Sequence, residues 1–249
     1  GARRWGPWYE LGFARAAGGA GKRANSFFGP TDMDVGAPVI QLATGTAHTC
    51  ALTANGAVRC WGRNNEGQLW YGAEVPSDAG VTARALGDVP LGGRARSIWA
   101  GEQGSCALLE DGRLSCWGTP WVRYGRSVQR IKEQAIPTVI DVGGTPKQVA
   151  IGNSHACALL ENGSIRCWGD DPAAMGYGNR NEIGDDEAPS AGGPVNVGGK
   201  AAALAAGSFH TCALLDTGAV RCWGNSEAGK LGHGNRVDIG DDEVPAAAG

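Results

Sequence analysis

One eighteen-residue block occurs four times in this chain without a gap inside any copy, and that repetition limits what the chain can fold into. The copies occupy residues 45–62 (GTAHTCALTANGAVRCWG), 101–118 (GEQGSCALLEDGRLSCWG), 152–169 (GNSHACALLENGSIRCWG) and 207–224 (GSFHTCALLDTGAVRCWG). Gly, Cys, Gly, Cys, Trp and Gly keep the same offsets in each. The first cysteines, Cys50, Cys106, Cys157 and Cys212, are 56, 51 and 55 residues apart, a spacing typical of stacked supersecondary units. The 249 residues therefore read as one repeat array, with length variation confined to the connectors.

Each block reads as a β-hairpin. In the first copy two apolar runs flank Ala54-Asn55-Gly56, a type I turn closed by a glycine able to take positive φ. If Thr53 faces Ala57, the outward pairs are Leu52 with Val58, Ala51 with Arg59, and Cys50 with Cys60. The two cysteines then face each other at a non-hydrogen-bonded site, where Cα atoms approach to about 4.5 Å, within reach of a disulfide. The same count pairs Cys106 with Cys116, Cys157 with Cys167 and Cys212 with Cys222. Four hairpin bridges point to an oxidising compartment; the alternative is eight small buried hydrophobes in a reduced protein. No Cys-x2-Cys knuckle supports zinc.

Strands before and after each hairpin complete a unit of four. The predicted first strands include 38–43, 96–100 and 148–151, and the predicted fourth lies around residues 68–72 and its equivalents. Four short antiparallel strands per repeat make an all-β chain, a β-propeller of four-stranded blades. Residues 39–249 carry the four full repeats. Residues 1–38 read as an N-terminal half blade (Arg4-Trp5-Gly6, then Tyr9 to Phe13) with an irregular connector. Four units and a half predict either an open arc within a larger protein or a ring closed with a partner's help; a self-closed five-bladed ring is the alternative.

The pattern H-x-C-A-L-x-x-x-G-x-x-x-C-W-G followed by G-x-L-G-x-G resembles the regulator-of-chromosome-condensation repeat family, in its cysteine-bearing, bacterial secreted form. The resemblance covers residues 39–249 and implies a propeller, usually of seven blades. Functions in that family range over nucleotide exchange, chromatin binding and inhibition of secreted enzymes, and the repeat motif carries none of them.

With 22 Lys and Arg against 25 Asp and Glu, net charge is −3, and the basic residues are scattered. A phosphate-neutralising stripe is absent, which argues against nucleic acid as a partner. No apolar run approaches the roughly 18 residues of a helical membrane span.

Candidate chemistry is sparse. His48, His155 and His210 recur at one offset where the second copy has Gly104, as structural hydrogen-bonding residues would. Trp61, Trp117, Trp168 and Trp223 recur as packing. Ser208, His210 and Asp216 lack a nucleophile-elbow pattern. The acidic runs Asp185-Asp186-Glu187 and Asp241-Asp242-Glu243 are weak calcium candidates without the spaced ligand pattern of a calcium loop. Departures from the repeat are more informative. Two places before the last glycine of each unit stand Trp70, Arg123, Gly176 and Gly232. Trp70, Tyr71, Trp121, Arg123 and Tyr124 are accordingly expected to form an aromatic, cationic patch on the loop face, of the residue types that anchor protein interfaces. The resulting expectation is a non-enzymatic, extracellular or envelope scaffold that binds another protein and needs no cofactor; a carbohydrate- or small-ligand-binding module is the alternative.

Overall fold

Gly56 takes φ +82°, its amide donates to the Thr53 carbonyl at 2.9 Å, and the Thr53 amide donates to the Ala57 carbonyl at 2.9 Å. This is the three-residue turn the sequence calls for, and it locks the register. In the computed structural model, which describes residues 32–70, 82–119, 137–184 and 187–248, Leu52 pairs with Val58, Ala51 with Arg59 and Cys50 with Cys60. The other three hairpins follow the same register. All four expected disulfides are formed, with Cα atoms 4.0 to 4.1 Å apart.

The strands group into four sheets. Blade 1 contains β1 (Val39–Thr44), β2 (His48–Thr53) and β3 (Val58–Gly62). Blade 2 contains β4 (Ala95–Ala100), β5 (Gly104–Leu109), β6 (Leu114–Gly118) and β7 (Thr138–Ile140). β8 (Pro146–Ile151), β9 (His155–Leu160) and β10 (Ile165–Gly169) form blade 3. β11 (Ala201–Gly207), β12 (His210–Leu215) and β13 (Val220–Gly224) form blade 4. Every pairing is antiparallel, and each first strand carries a bulge at the same place, at Ile40, Arg96, Lys147 and Ala202.

The fourth strand differs from the one expected around residues 68–72. Residues 64–70 form a turn instead. Asn64 Oδ1 accepts from the Leu69 amide at 3.0 Å, Gln68 Oε1 accepts from the Glu66 amide at 2.9 Å, and Gly67 has φ +78°. Side-chain acceptors bonded to nearby amides favour a turn over a ladder. The equivalent segments are also short and helical: α2 (Pro172–Met175), capped by Asp171, and a 3-10 turn at Glu227–Gly229; α1 (Ala83–Leu86) lies in the connector after blade 1. The true fourth position comes later in the chain. It is occupied by β7 in blade 2, while in blades 1 and 3 the Val89 and Val195 amides donate to the Val58 and Ile165 carbonyls at 2.7 and 3.0 Å.

Two glycines per block are required by close approach. A Cβ on Gly152 would lie 2.3 Å from His155 Cε1 and 2.7 Å from the Gly207 carbonyl oxygen of the next blade. Gly169 combines φ +139° with a Cβ position 2.2 Å from the Ser154 carbonyl oxygen. The expected half blade falls on residues 1–31, outside the described residues. Met33 and Val35 pack with Trp61 ahead of blade 1.

Candidate functional site

Most of the recurring polar side chains join one blade to the next. His48 Nε2 lies 2.8 Å from Ser105 Oγ, and His155 Nε2 lies 2.8 Å from Thr211 Oγ1, joining blades 1 to 2 and 3 to 4. Both rings are buried, and burial pushes the His48 imidazole down to about 4 and that of His155 to about 3. Gln41 Nε2 donates to the Ile98 carbonyl at 2.7 Å while its Oε1 accepts from the Ile98 amide at 2.9 Å. Gln148 makes the same pair of bonds with Leu204, at 2.6 and 2.9 Å. Trp117 Nε1 donates to the Gln68 carbonyl and Trp223 Nε1 to the Ala174 carbonyl, both at 2.8 Å, so each indole is tied to the turn of the preceding blade.

Those two carbonyls occupy equivalent places in the repeat, which aligns Trp70 with Gly176. The backbone agrees: φ is +76° at Trp70, +80° at Gly176 and +80° at Gly232. A tryptophan in the left-handed region costs about 1–2 kcal/mol that glycine avoids. Trp70 is partly buried and packs against the cluster that contains Leu69 and Trp117. The other expected patch residues, Tyr71, Trp121, Arg123 and Tyr124, lie outside the described residues.

Tyr177 shares its place in the repeat with Tyr71 and Tyr124. Its hydroxyl donates to the Cys167 carbonyl and accepts from the Cys167 amide, both at 3.0 Å, which braces β10, and burial pushes the phenol up to about 12.

Ser208, His210 and Asp216 are not assembled for catalysis. The Ser208 hydroxyl donates to Glu102 of blade 2, His210 begins β12, and Asp216 follows its far end, about 20 Å away at strand rise. Asp241, Asp242 and Glu243 bring carboxylate oxygens within 4.8 Å of one another. Arg180 Nη2 donates to Asp241 Oδ2 at 3.1 Å, and the hydrogen bond with Asp242 holds the Glu243 carboxyl up to about 7. The ion pair with Arg180 thus offsets part of the repulsion within the triplet. In the other acidic run Glu187 Oε1 accepts from the Gly184 amide at 3.3 Å, and Asp185 and Asp186 are outside the described residues.

The family described as the regulator of chromosome condensation (RCC1) repeat matches residues 39–68, 147–173 and 201–230. Each match runs from a first strand through the hairpin to the crossover turn, the unit seen in blades 1, 3 and 4. These are regulator-of-chromosome-condensation repeats. The chain is 31% identical to protein pim1 of Schizosaccharomyces pombe over 83% of its own length and 40% of pim1. It is 29% identical to the human probable E3 ubiquitin-protein ligase HERC3, over 81% of this chain and 19% of that protein. Prp20p from Saccharomyces cerevisiae superposes with a TM-score of 0.69 at 23% identity, covering 86% of this chain and 52% of Prp20p, a likeness of fold. The chain thus spans about half or less of each of these proteins. An RCC1-type propeller of this kind is consistent with a protein-binding scaffold.

Sequence reading missed the two glutamines. Their signal is faint, since Gln41 and Gln148 share one offset while Ser97 and Ala203 fill it in the other blades.

Proposed function

We propose that the chain is a non-enzymatic scaffold that works outside the cytoplasm and captures another protein on its loop rim near the first two repeats. Trp70 carries this reading. A large aromatic held in a costly backbone conformation, partly exposed where sister repeats use glycine, supports a contact role better than a packing role. In this reading Arg123, its counterpart in the next repeat, extends the contact together with Tyr71, Trp121 and Tyr124. The four disulfides support an oxidising compartment. Among the relatives, the Prp20p structure was described with its binding to Gsp1p and histones, which supports a protein as the class of partner.

The test is affinity capture from the secreted or envelope fraction of the source with the wild-type chain and Trp70→Gly. Expected is one recurrent polypeptide with the wild type, lost with Trp70→Gly while all four disulfides persist. Undiminished capture by Trp70→Gly would overturn the assignment, and a glycan recovered in place of a polypeptide would favour a carbohydrate-binding module.

A further inference from the structure

Side chains bond neighbouring blades in two ways, and one joint has neither. A blade carries the histidine where the next carries a hydroxyl to meet it: His48 with Ser105 between blades 1 and 2, and His155 with Thr211 between blades 3 and 4. Gln41 and Gln148 add their paired bonds at the same two joints. Between blades 2 and 3, Gly104 and Ala156 replace the histidine and the hydroxyl, and Ser97 replaces the glutamine. Trp99 stands there instead. It pairs with Cys106 as Ala43, Ala150 and Ala205 pair with Cys50, Cys157 and Cys212, and it packs against the buried cluster that runs from blade 2 into blade 3. The outer edge of this joint is held by Ser190, whose amide donates to the Asp141 carbonyl at 3.0 Å and whose hydroxyl donates to the Asp141 carboxylate at 2.9 Å.

The inner end is tied by a bond that passes over a blade. The loops that follow the first strands, residues 101–103, 152–154 and 207–209, stack closely: a Cβ on Gly101 would lie 2.2 Å from the Ile151 carbonyl oxygen, and one on Gly152 2.7 Å from that of Gly207. Across this stack the Ser208 hydroxyl of blade 4 donates to Glu102 Oε1 of blade 2, while the Ser208 carbonyl accepts from the Asn153 amide of blade 3 at 2.9 Å. Glu102 departs from the repeat, since Thr46, Asn153 and Ser208, all with shorter side chains, hold its place in the other blades. We propose that Glu102 is a latch: bonded to Ser208, its carboxylate ties blade 2 to the bonded pair of blades 3 and 4 and keeps closed the inner end of the joint that lacks both other devices. Both side chains are partly buried, where a hydrogen bond to a carboxylate is stronger than in open water. Ser190 at the outer edge is then the hinge. The latch lies at the end of the blades from which the crossover turns leave, because the Arg63, Thr119, Asp170 and Asn225 amides donate to the Ala47, Gln103, Ser154 and Phe209 carbonyls at 2.7, 3.2, 3.0 and 2.8 Å. Its state therefore sets how far the turn of blade 1 stands from those of blades 3 and 4.

Hydroxyl-radical footprinting of the oxidised chain tests this. Trp99, three residues before Glu102, reports on the latched joint, while Trp117 and Trp223, fully buried and bonded across the two flanking joints, report on the rest. Expected is a several-fold rise in Trp99 oxidation in Glu102→Ala and in Ser208→Ala, with Trp117 and Trp223 still protected and all four disulfides intact. The double variant should show no more than either single one, because both remove the same bond. Glu102→Gln, which keeps an acceptor oxygen, should stay closer to the wild type than to Glu102→Ala. Unchanged Trp99 oxidation in both alanine variants, additive effects in the double variant, or oxidation of Trp117 and Trp223 in step with Trp99 would each overturn the proposal.

Discussion

Gln41 bonds both backbone groups of Ile98, a residue 57 positions further along the chain. The amide side chain thus acts as one rung of a ladder between strands that are not neighbours in any sheet. Gln41→Leu should remove both bonds and leave the Ile98 amide and carbonyl short of partners, at a cost of about 1–3 kcal/mol. Gln148→Leu should do the same at Leu204. Ser97→Gln, which puts a glutamine where the second blade has none, should instead gain about 1 kcal/mol. Denaturant unfolding of the oxidised proteins distinguishes these outcomes.

Burial of two neutral imidazoles predicts a particular acid limb. In the unfolded chain His48 and His155 protonate near 6.5, but in the folded chain only near 4 and 3. The unfolded state therefore binds more protons over that interval. The contribution of each ring is full above about pH 6.5 and is lost as pH falls toward 4 and 3, with a slope of about 1.4 kcal/mol per pH unit per histidine. His155→Gln should flatten the limb. A stability profile level between pH 7 and 5 would contradict the burial of these rings.

The four bridges close short loops of ten-residue separation. Replacing Cys157 and Cys167 together by alanine should cost roughly 3 kcal/mol on the chain-entropy scale. Intact mass after alkylation checks the pairing directly: eight cysteines should be modified only after reduction.

Trp70 and Trp117 should respond differently to truncation. Trp117 is fully buried and bonded to the Gln68 carbonyl, so Trp117→Ala should cost about 3–5 kcal/mol. Trp70→Gly relieves the left-handed backbone while giving up a half-buried ring, and the two effects, each about 1–2 kcal/mol, should nearly cancel. Thermal unfolding of both variants decides the matter; a loss at Trp70 as large as that at Trp117 would return Trp70 to packing.

Hairpin register and cysteine pairing were legible because a glycine at fixed offset closes each turn and side chains alternate strictly from there. The fourth strand was misplaced because Leu69, Trp70 and Tyr71 look like an apolar run, while the turn is set by Asn64 and Gln68 bonding amides close by in the sequence. Bonds between blades were harder to see. Gln41 reaches backbone atoms, which leave no residue pattern at the far end, and the histidine rule emerges only when one offset is compared with the next offset in the following repeat. Trp70 was visible as a departure from the repeat, and its positive φ was foreshadowed by the glycines at Gly176 and Gly232.

The joint between blades 2 and 3 lacks both devices, since Ser97 stands in place of the glutamine, and Gly104 and Ala156 in place of the histidine and hydroxyl. What takes their place there is apolar packing: Leu114 and Ile140 of blade 2 share one buried cluster with Val149 and Ile151 of blade 3. Its strength should therefore follow the hydrophobic effect, weakening on cooling, whereas the two flanking joints add directional bonds.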